Sequence, residues 1–149
     1  MSKGKYNWIL YLLSIIIIFT FIICYKYVVA KVNIKKYISS RNELAAITVV
    51  ENHFSFLKNG KKHLAKYTLF SNCYNIKFNN IDYNVINIKE VPNDKLTYEY
   101  LNDIKMDEVK SFDVQVMNGN TKNSYMMRYI VCKEHKNSPW LIYAWGVSF

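Results

Sequence analysis

Glycine and proline are scarce in this 149-residue chain, at four and two residues, and there are only three cysteines. The glycines stand singly at Gly4, Gly60, Gly119 and Gly146, so there is no Gly-rich phosphate loop, and each suits a tail, a cap or a turn. Cys24, Cys73 and Cys132 lack the spacing of a disulfide framework. Cys73 and Cys132 read as buried thiols, with a pairing left open if the domain faces an oxidising space. Phe21-Ile22-Ile23 precedes Cys24 where a lipobox needs a small residue, which makes Cys24 an apolar helix residue rather than an acylation site. His53, His63 and His135 show no metal-ligand spacing such as H-E-x-x-H, and no motif flanks a cysteine as a nucleophile. Asp103, Asp107 and Glu108 alternate with Lys105 and Lys110, as on a solvated linker or helix face. No internal repeat is present.

Charge is also missing, from Tyr6 to Tyr25, where Ile, Leu and Phe dominate. At about 1.5 Å per residue this run spans roughly 30 Å, the thickness of a bilayer's hydrocarbon core. The formal charge of +9 divides unevenly. Lys3, Lys5, Lys26, Lys31, Lys35 and Lys36 give residues 1–36 a charge of +6, while the remainder, with 14 basic and 11 acidic residues, carries +3. Basic residues bracketing an apolar run suit anionic head groups, so nucleic-acid binding is not expected. Trp8, Tyr11, Tyr25 and Tyr27 lie near the two ends, at head-group depth.

The chain therefore divides into a basic tail (1–5), a transmembrane anchor (6–27) through which the bilayer is the partner, a basic juxtamembrane linker (28–40) and one α+β domain (41–149). Val28-Val29-Ala30 resembles a signal-peptidase site, with cleavage after Ala30. The run from Trp8 to Tyr25 exceeds the roughly 7–15 residues of a secretory h-region and Lys26 interrupts the approach, so a retained signal anchor is expected. Lys26, Lys31, Lys35, Lys36 and Arg41 after the span outnumber Lys3 and Lys5 before it, which by the positive-inside rule holds the domain in the cytoplasm. A short basic tail before a single span is also the layout of an exported domain, and an extracytoplasmic domain is the expectation adopted.

Within the domain, Ser40 and Glu43 have the spacing of a capping box, predicting a helix start, and Leu44, Ile47, Val50, Phe54 and Leu57 recur at helical spacing up to Asn59-Gly60. A shorter helix is expected over 61–69. Ile76, Phe78, Ile81, Tyr83, Val85, Ile86 and Ile88 read as a strand broken by turns, which Val91-Pro92-Asn93-Asp94 stops. Phe112, Val114 and Val116 alternate with polar residues, as do Tyr125, Met127, Tyr129 and Val131, with a turn at Met117-Asn118-Gly119-Asn120 between them. After the turn at Lys136-Asn137-Ser138-Pro139, Trp140 to Trp145 is apolar on both faces, as in a central strand. Helices followed by antiparallel strands imply an α+β fold with a long helix packed on a curved antiparallel sheet.

The ending Ser138-Pro139-Trp140-Leu141-Ile142-Tyr143-Ala144-Trp145-Gly146, with the helix ending Leu57-Lys58-Asn59-Gly60, resembles the Gram-positive family of domain of unknown function 4829. The likeness covers roughly residues 41–149. It implies a small cell-envelope protein with an N-terminal signal or anchor and a nuclear transport factor 2-like, cystatin-like cone. The family carries no established activity. It usually shows two acidic residues where this chain has Tyr143 and Ala144.

A cone often encloses a pocket, so the candidate ligand-binding residues are His53, Phe54, Tyr129 and Trp140. A histidine with a pKa near 6.5 is suited to general-base work, yet His53 beside Glu51 also reads as a partly exposed helix residue. The aromatic residues read first as core. Trp140 and Trp145, five apart on a strand, are expected on opposite faces. No catalytic residue, metal site or cofactor is expected. The function implied is a single-pass, membrane-anchored binding module for a protein partner or a small apolar ligand. The alternatives are a scaffold subunit of a membrane assembly such as a DNA-transfer machine, and a cone-fold enzyme of the isomerase or dehydratase type.

Overall fold

The computed structural model describes residues 3–73, 83–102 and 104–147. The chain divides into two compact units, 1–37 and 38–149. Ile76, Phe78 and Ile81 of the expected strand, and Asp103 of the acidic cluster, lie outside the described residues.

Helix α1 (Lys3–Ser40) occupies the first unit and continues to Ser40. Its 38 residues extend about 57 Å, so one helix holds both the apolar run and the basic stretch 28–40 expected as a linker. The helix reaches a mean hydropathy of 2.6 and is long and apolar enough to cross a membrane. The Ser40–Glu43 capping box does not form. Ser40 keeps a helical backbone (φ −94°, ψ −16°) and makes no side-chain cap bond, because a residue still in the preceding helix lacks the extended conformation an N-cap requires.

A 3-10 turn (Arg41–Glu43) precedes helix α2 (Ala46–Lys58), shorter at its start than the sequence implied. Ala46, Val49, Val50, His53 and Phe54 form its buried stripe at three- and four-residue spacing. The helix ends as expected at Asn59-Gly60. Gly60 adopts φ +67°, its amide donates to Leu57 and the Lys61 amide donates to Phe56, which together make a Schellman cap. Helix α3 (Lys62–Ala65) runs into a 3-10 turn (Lys66–Thr68), matching the second expected helix.

Strands β1 (Tyr83–Val91), β2 (Glu108–Asn118), β3 (Ser124–Lys133) and β4 (Leu141–Val147) form one curved, unclosed antiparallel sheet in the order β1-β2-β3-β4. The predicted alternation holds: Phe112 pairs with Tyr129, Val114 with Met127 and Val116 with Tyr125. In the β2–β3 turn the Asn118 carboxamide oxygen accepts from the amides of Asn120 and Thr121 at 2.9 and 3.1 Å.

Side-chain alternation sorts the core onto two faces of the sheet. Phe112, Val114, Val116, Tyr129, Val131 and Ile142 meet α2 on one face. Ile130 and Cys132 meet Leu101 on the other, where helix α4 (Lys95–Leu101) packs. That helix was not expected. Asp94 is its N-cap, accepting from the Thr97 amide at 3.0 Å while its own amide donates to the Thr97 hydroxyl at 3.3 Å, and Asn102 closes it in the left-handed conformation (φ +46°).

Two expectations about β4 fail. Among the described strands it is an edge strand rather than a central one, and its outer side is covered by Leu69 and Phe70, the Phe70 amide donating to the Ile142 carbonyl at 3.0 Å. Trp140 and Trp145 also lie on the same face, both in the α2-side core. Ile130 pairs with Ala144 but Val131 with Ile142, so Tyr143 is an extra residue, a bulge that resets the alternation between the two tryptophans. Gly146 is not a turn residue. It lies within β4, where an added Cβ would stand 2.6 Å from the Tyr100 hydroxyl.

Candidate functional site

A groove of about 520 Å³ opens between α2 and β1. Helix periodicity aims Ile47, Glu51, Phe54, Ser55 and Lys58 at it, at three- and four-residue spacing. Tyr83, Val85, Asn87 and Ile88 form the other wall. On that wall Ile86 is the extra residue of a bulge between Val85 and Asn87 and stays half exposed. Lys58 donates to the Asn84 carboxamide oxygen at 3.0 Å, which ties the helix end to the strand. The groove wall mixes apolar side chains such as Ile47, Phe54 and Ile88 with polar and charged ones such as Glu51, Lys58 and Asn87, a surface suited to an amphiphilic or peptide-like occupant rather than to a bare ion.

The four candidate residues separate on this geometry. Phe54 lines the groove. His53, the next residue round the helix, points into the core at 1% exposure, against the reading of a partly exposed histidine. Its ring centroid lies 6.0 Å from those of Phe54 and Trp145 and 6.3 Å from that of Tyr129, and Tyr129 stacks on Trp145 at 6.1 Å. Trp140 belongs to the same buried cluster, with the Lys133 ammonium 4.9 Å above its ring. The structure therefore gathers His53, Phe54 and Tyr129 but exposes only Phe54 to the groove, with Trp140 held under Lys133.

Hydrogen bonding defines the state of His53. The Thr68 hydroxyl donates to the Ala65 carbonyl at 2.6 Å, so its oxygen accepts from His53 Nδ1–H at 2.7 Å. Burial pulls the His53 pKa from 6.5 down to about 4, partly offset by the Ala65 carbonyl, and the ring is neutral at ordinary pH. Burial likewise raises the Tyr129 phenol and pushes the Cys132 thiol up to about 12. Cys73 is raised by burial too, and its Sγ–H donates to the Tyr143 carbonyl at 3.2 Å. Such thiols are poor nucleophiles. His63 and His135 are exposed. Among the described residues, no three His, Cys, Asp or Glu side chains converge as a metal-ligand set.

On the opposite face lies a polar network that the sequence reading missed. Arg128 on β3 forks onto both carboxylate oxygens of Asp113 on β2, and its Nη1 donates to Asp94 at 3.0 Å. The Asp94 carboxylate also accepts from the Thr97 hydroxyl at 3.0 Å; Thr97 meets Ser111 at 2.9 Å, and Ser111 donates to Asn93 at 2.9 Å. The Thr97 amide first, and Arg128 next, hold the Asp94 carboxyl at about 2. The network fastens the start of α4 to the sheet. Its sequence signal is Asp94-x-x-Thr97, an N-cap carboxylate followed three residues on by a hydroxyl.

The second unit is thus a small α+β domain with one helix across an antiparallel meander, an aromatic core and an open groove beside that helix. The chain belongs to the family with domain of unknown function DUF4829, whose pattern matches residues 47–146, from the first turn of α2 to β4. No curated protein and no solved structure matches it.

Proposed function

We propose that this protein is a single-pass membrane protein of a Gram-positive cell envelope, anchored by α1 and carrying an extracytoplasmic, nuclear transport factor 2-like or cystatin-like domain. The domain works by binding at the α2–β1 groove, without catalysis. The observation that carries this reading is the division of labour on α2, where Phe54 faces the groove while the adjacent His53, the residue best suited to acid–base chemistry, is turned inward and hydrogen-bonded to Thr68. An open groove of mixed apolar and polar lining, whose carboxylate Glu51 has no His, Cys or second carboxylate beside it among the described lining residues, suits recognition better than turnover.

A photo-crosslinking amino acid placed at Ser55 on the groove wall, in the full chain in cells, tests the reading against the same probe at exposed Lys136. A discrete adduct from Ser55, lost when Ile88→Glu places a charge in the groove, is the expected result. Equal labelling from both positions overturns groove binding.

A further inference from the structure

The two edges of the described sheet differ. The β4 edge is covered by Leu69 and Phe70, whereas β1 pairs, among the described residues, with β2 alone. The side chains of that strand are open in the same stretch: Val85 is 37% and Ile86 52% exposed, and Asn87 is exposed too. A strand edge presents a row of N–H and C=O groups to whatever lies beside it.

The groove runs against that edge. It takes in four consecutive residues, Val85 to Ile88. Val85 and Ile88 pair with Val116 and Val114 of the core and so face α2, whereas Asn87 pairs with Gln115 on the opposite face. A wall lying on one face of a strand shows alternate residues, so a wall that includes both faces is the strand's edge. The bulge at Ile86 interrupts the run, which confines pairing along this edge to a short stretch.

The lining also selects among occupants. Glu51, Ser55, Asn59 and Asn87 interleave with the apolar residues. An acyl chain would bury such groups unpaired, whereas a peptide brings donors and acceptors of its own. Charge adds a further choice. Lys58 lines the groove at the C-terminal end of α2, the exposed Lys61 and Lys66 follow, and no acidic residue occurs from Asn52 to Cys73. Basic residues thus outnumber Glu51, the single acid among the described lining residues.

We propose that the occupant of the groove is an extended acidic peptide segment of a protein partner, which adds a strand beyond the β1 edge, sets alternate side chains between β1 and α2, and places a carboxylate near Lys58 and Lys61. This rests on the groove-binding reading above and names its partner.

Phage-displayed random peptides, selected on the full chain in detergent and counter-selected on Ser55→Trp, supply the probe. Position 55 is exposed on the groove wall, so the indole fills the groove without disturbing the core. Synthetic copies of the recovered peptide, with one backbone N-methyl group at each position in turn, then read the geometry. Affinity is expected to fall roughly tenfold or more at every second position of the paired stretch and to hold at those between, because only alternate amides of an added strand face β1. The peptide should carry Asp or Glu, and Lys61→Glu should weaken its binding roughly threefold or more. A flat N-methyl profile, indifference to Lys61→Glu, or the absence of any peptide that Ser55→Trp excludes overturns strand addition. A discrete lipid adduct from the Ser55 crosslink overturns it too but leaves groove binding standing, whereas equal crosslinking from Ser55 and Lys136 removes both.

Discussion

His53 is a polar residue in the apolar stripe of α2, and its burial links stability to pH in a defined direction. The folded-state pKa lies at about 4, against about 6.5 for the free side chain, so between these values the unfolded chain takes up a proton that the native state refuses. Stability from this residue is complete above about pH 6.5 and is lost as the pH falls toward about 4, by about 3 kcal/mol across the window. Urea unfolding of the full chain in detergent at both ends of that window measures the loss, and His53→Asn should flatten it. Asp94 adds acid sensitivity in a separate, lower range. Its carboxyl is held at about 2, so its contribution is present above the usual carboxylate pKa of about 4 and fades as the pH falls through about 2.

At the scale of elements, what could be read in advance depended on whether burial left a period in the sequence. Strands β2 and β3 were legible because the face each turns to α2 is regularly apolar, giving Phe112, Val114 and Val116 opposite Tyr129, Met127 and Tyr125. The Gly60 cap was legible because a left-handed residue leaves a chemical signature. Helix α4 was not, since its seven residues bury only Thr97 and Leu101 and show no period. The bulge at Tyr143 left no mark in an all-apolar run, and with it the common facing of Trp140 and Trp145 was hidden. The groove was half legible: Phe54 was named, but β1 as its second wall depends on tertiary placement. What holds α4 without an apolar period is Arg128. Arg128→Leu removes three charge-assisted bonds and leaves Asp113 without its fork, for a cost of about 2 kcal/mol. Arg128→Lys should recover only part of that, because an ammonium cannot span both carboxylates in the fork geometry. Exchange of the Thr97 amide should quicken in both variants while the β2–β3 amides keep their protection.

For the whole molecule the open issue is whether α1 stays attached, and helical continuity bears on it. Val28-Val29-Ala30 sits inside a helix that runs unbroken from Lys3 to Ser40. A protease that reads an extended backbone must first break the i→i+4 hydrogen bonds around that site, and no proline or glycine lies near it to weaken them: Pro92 and Pro139 lie far downstream, and Gly4 is the helix's single glycine. The uncharged run from Tyr6 to Tyr25 is also longer than the roughly 7–15 residues of a secretory h-region. The expected outcome is an intact chain of 17.7 kDa in the membrane fraction, with alkaline phosphatase fused after Phe149 active there. A product beginning at Lys31 and recovered from the medium would show that the helix unwinds for cleavage. Phosphatase silence, together with fluorescence from a fusion that matures only in the cytoplasm, would show that Lys26, Lys31, Lys35, Lys36 and Arg41 set the orientation instead. The groove would then face cytoplasmic partners.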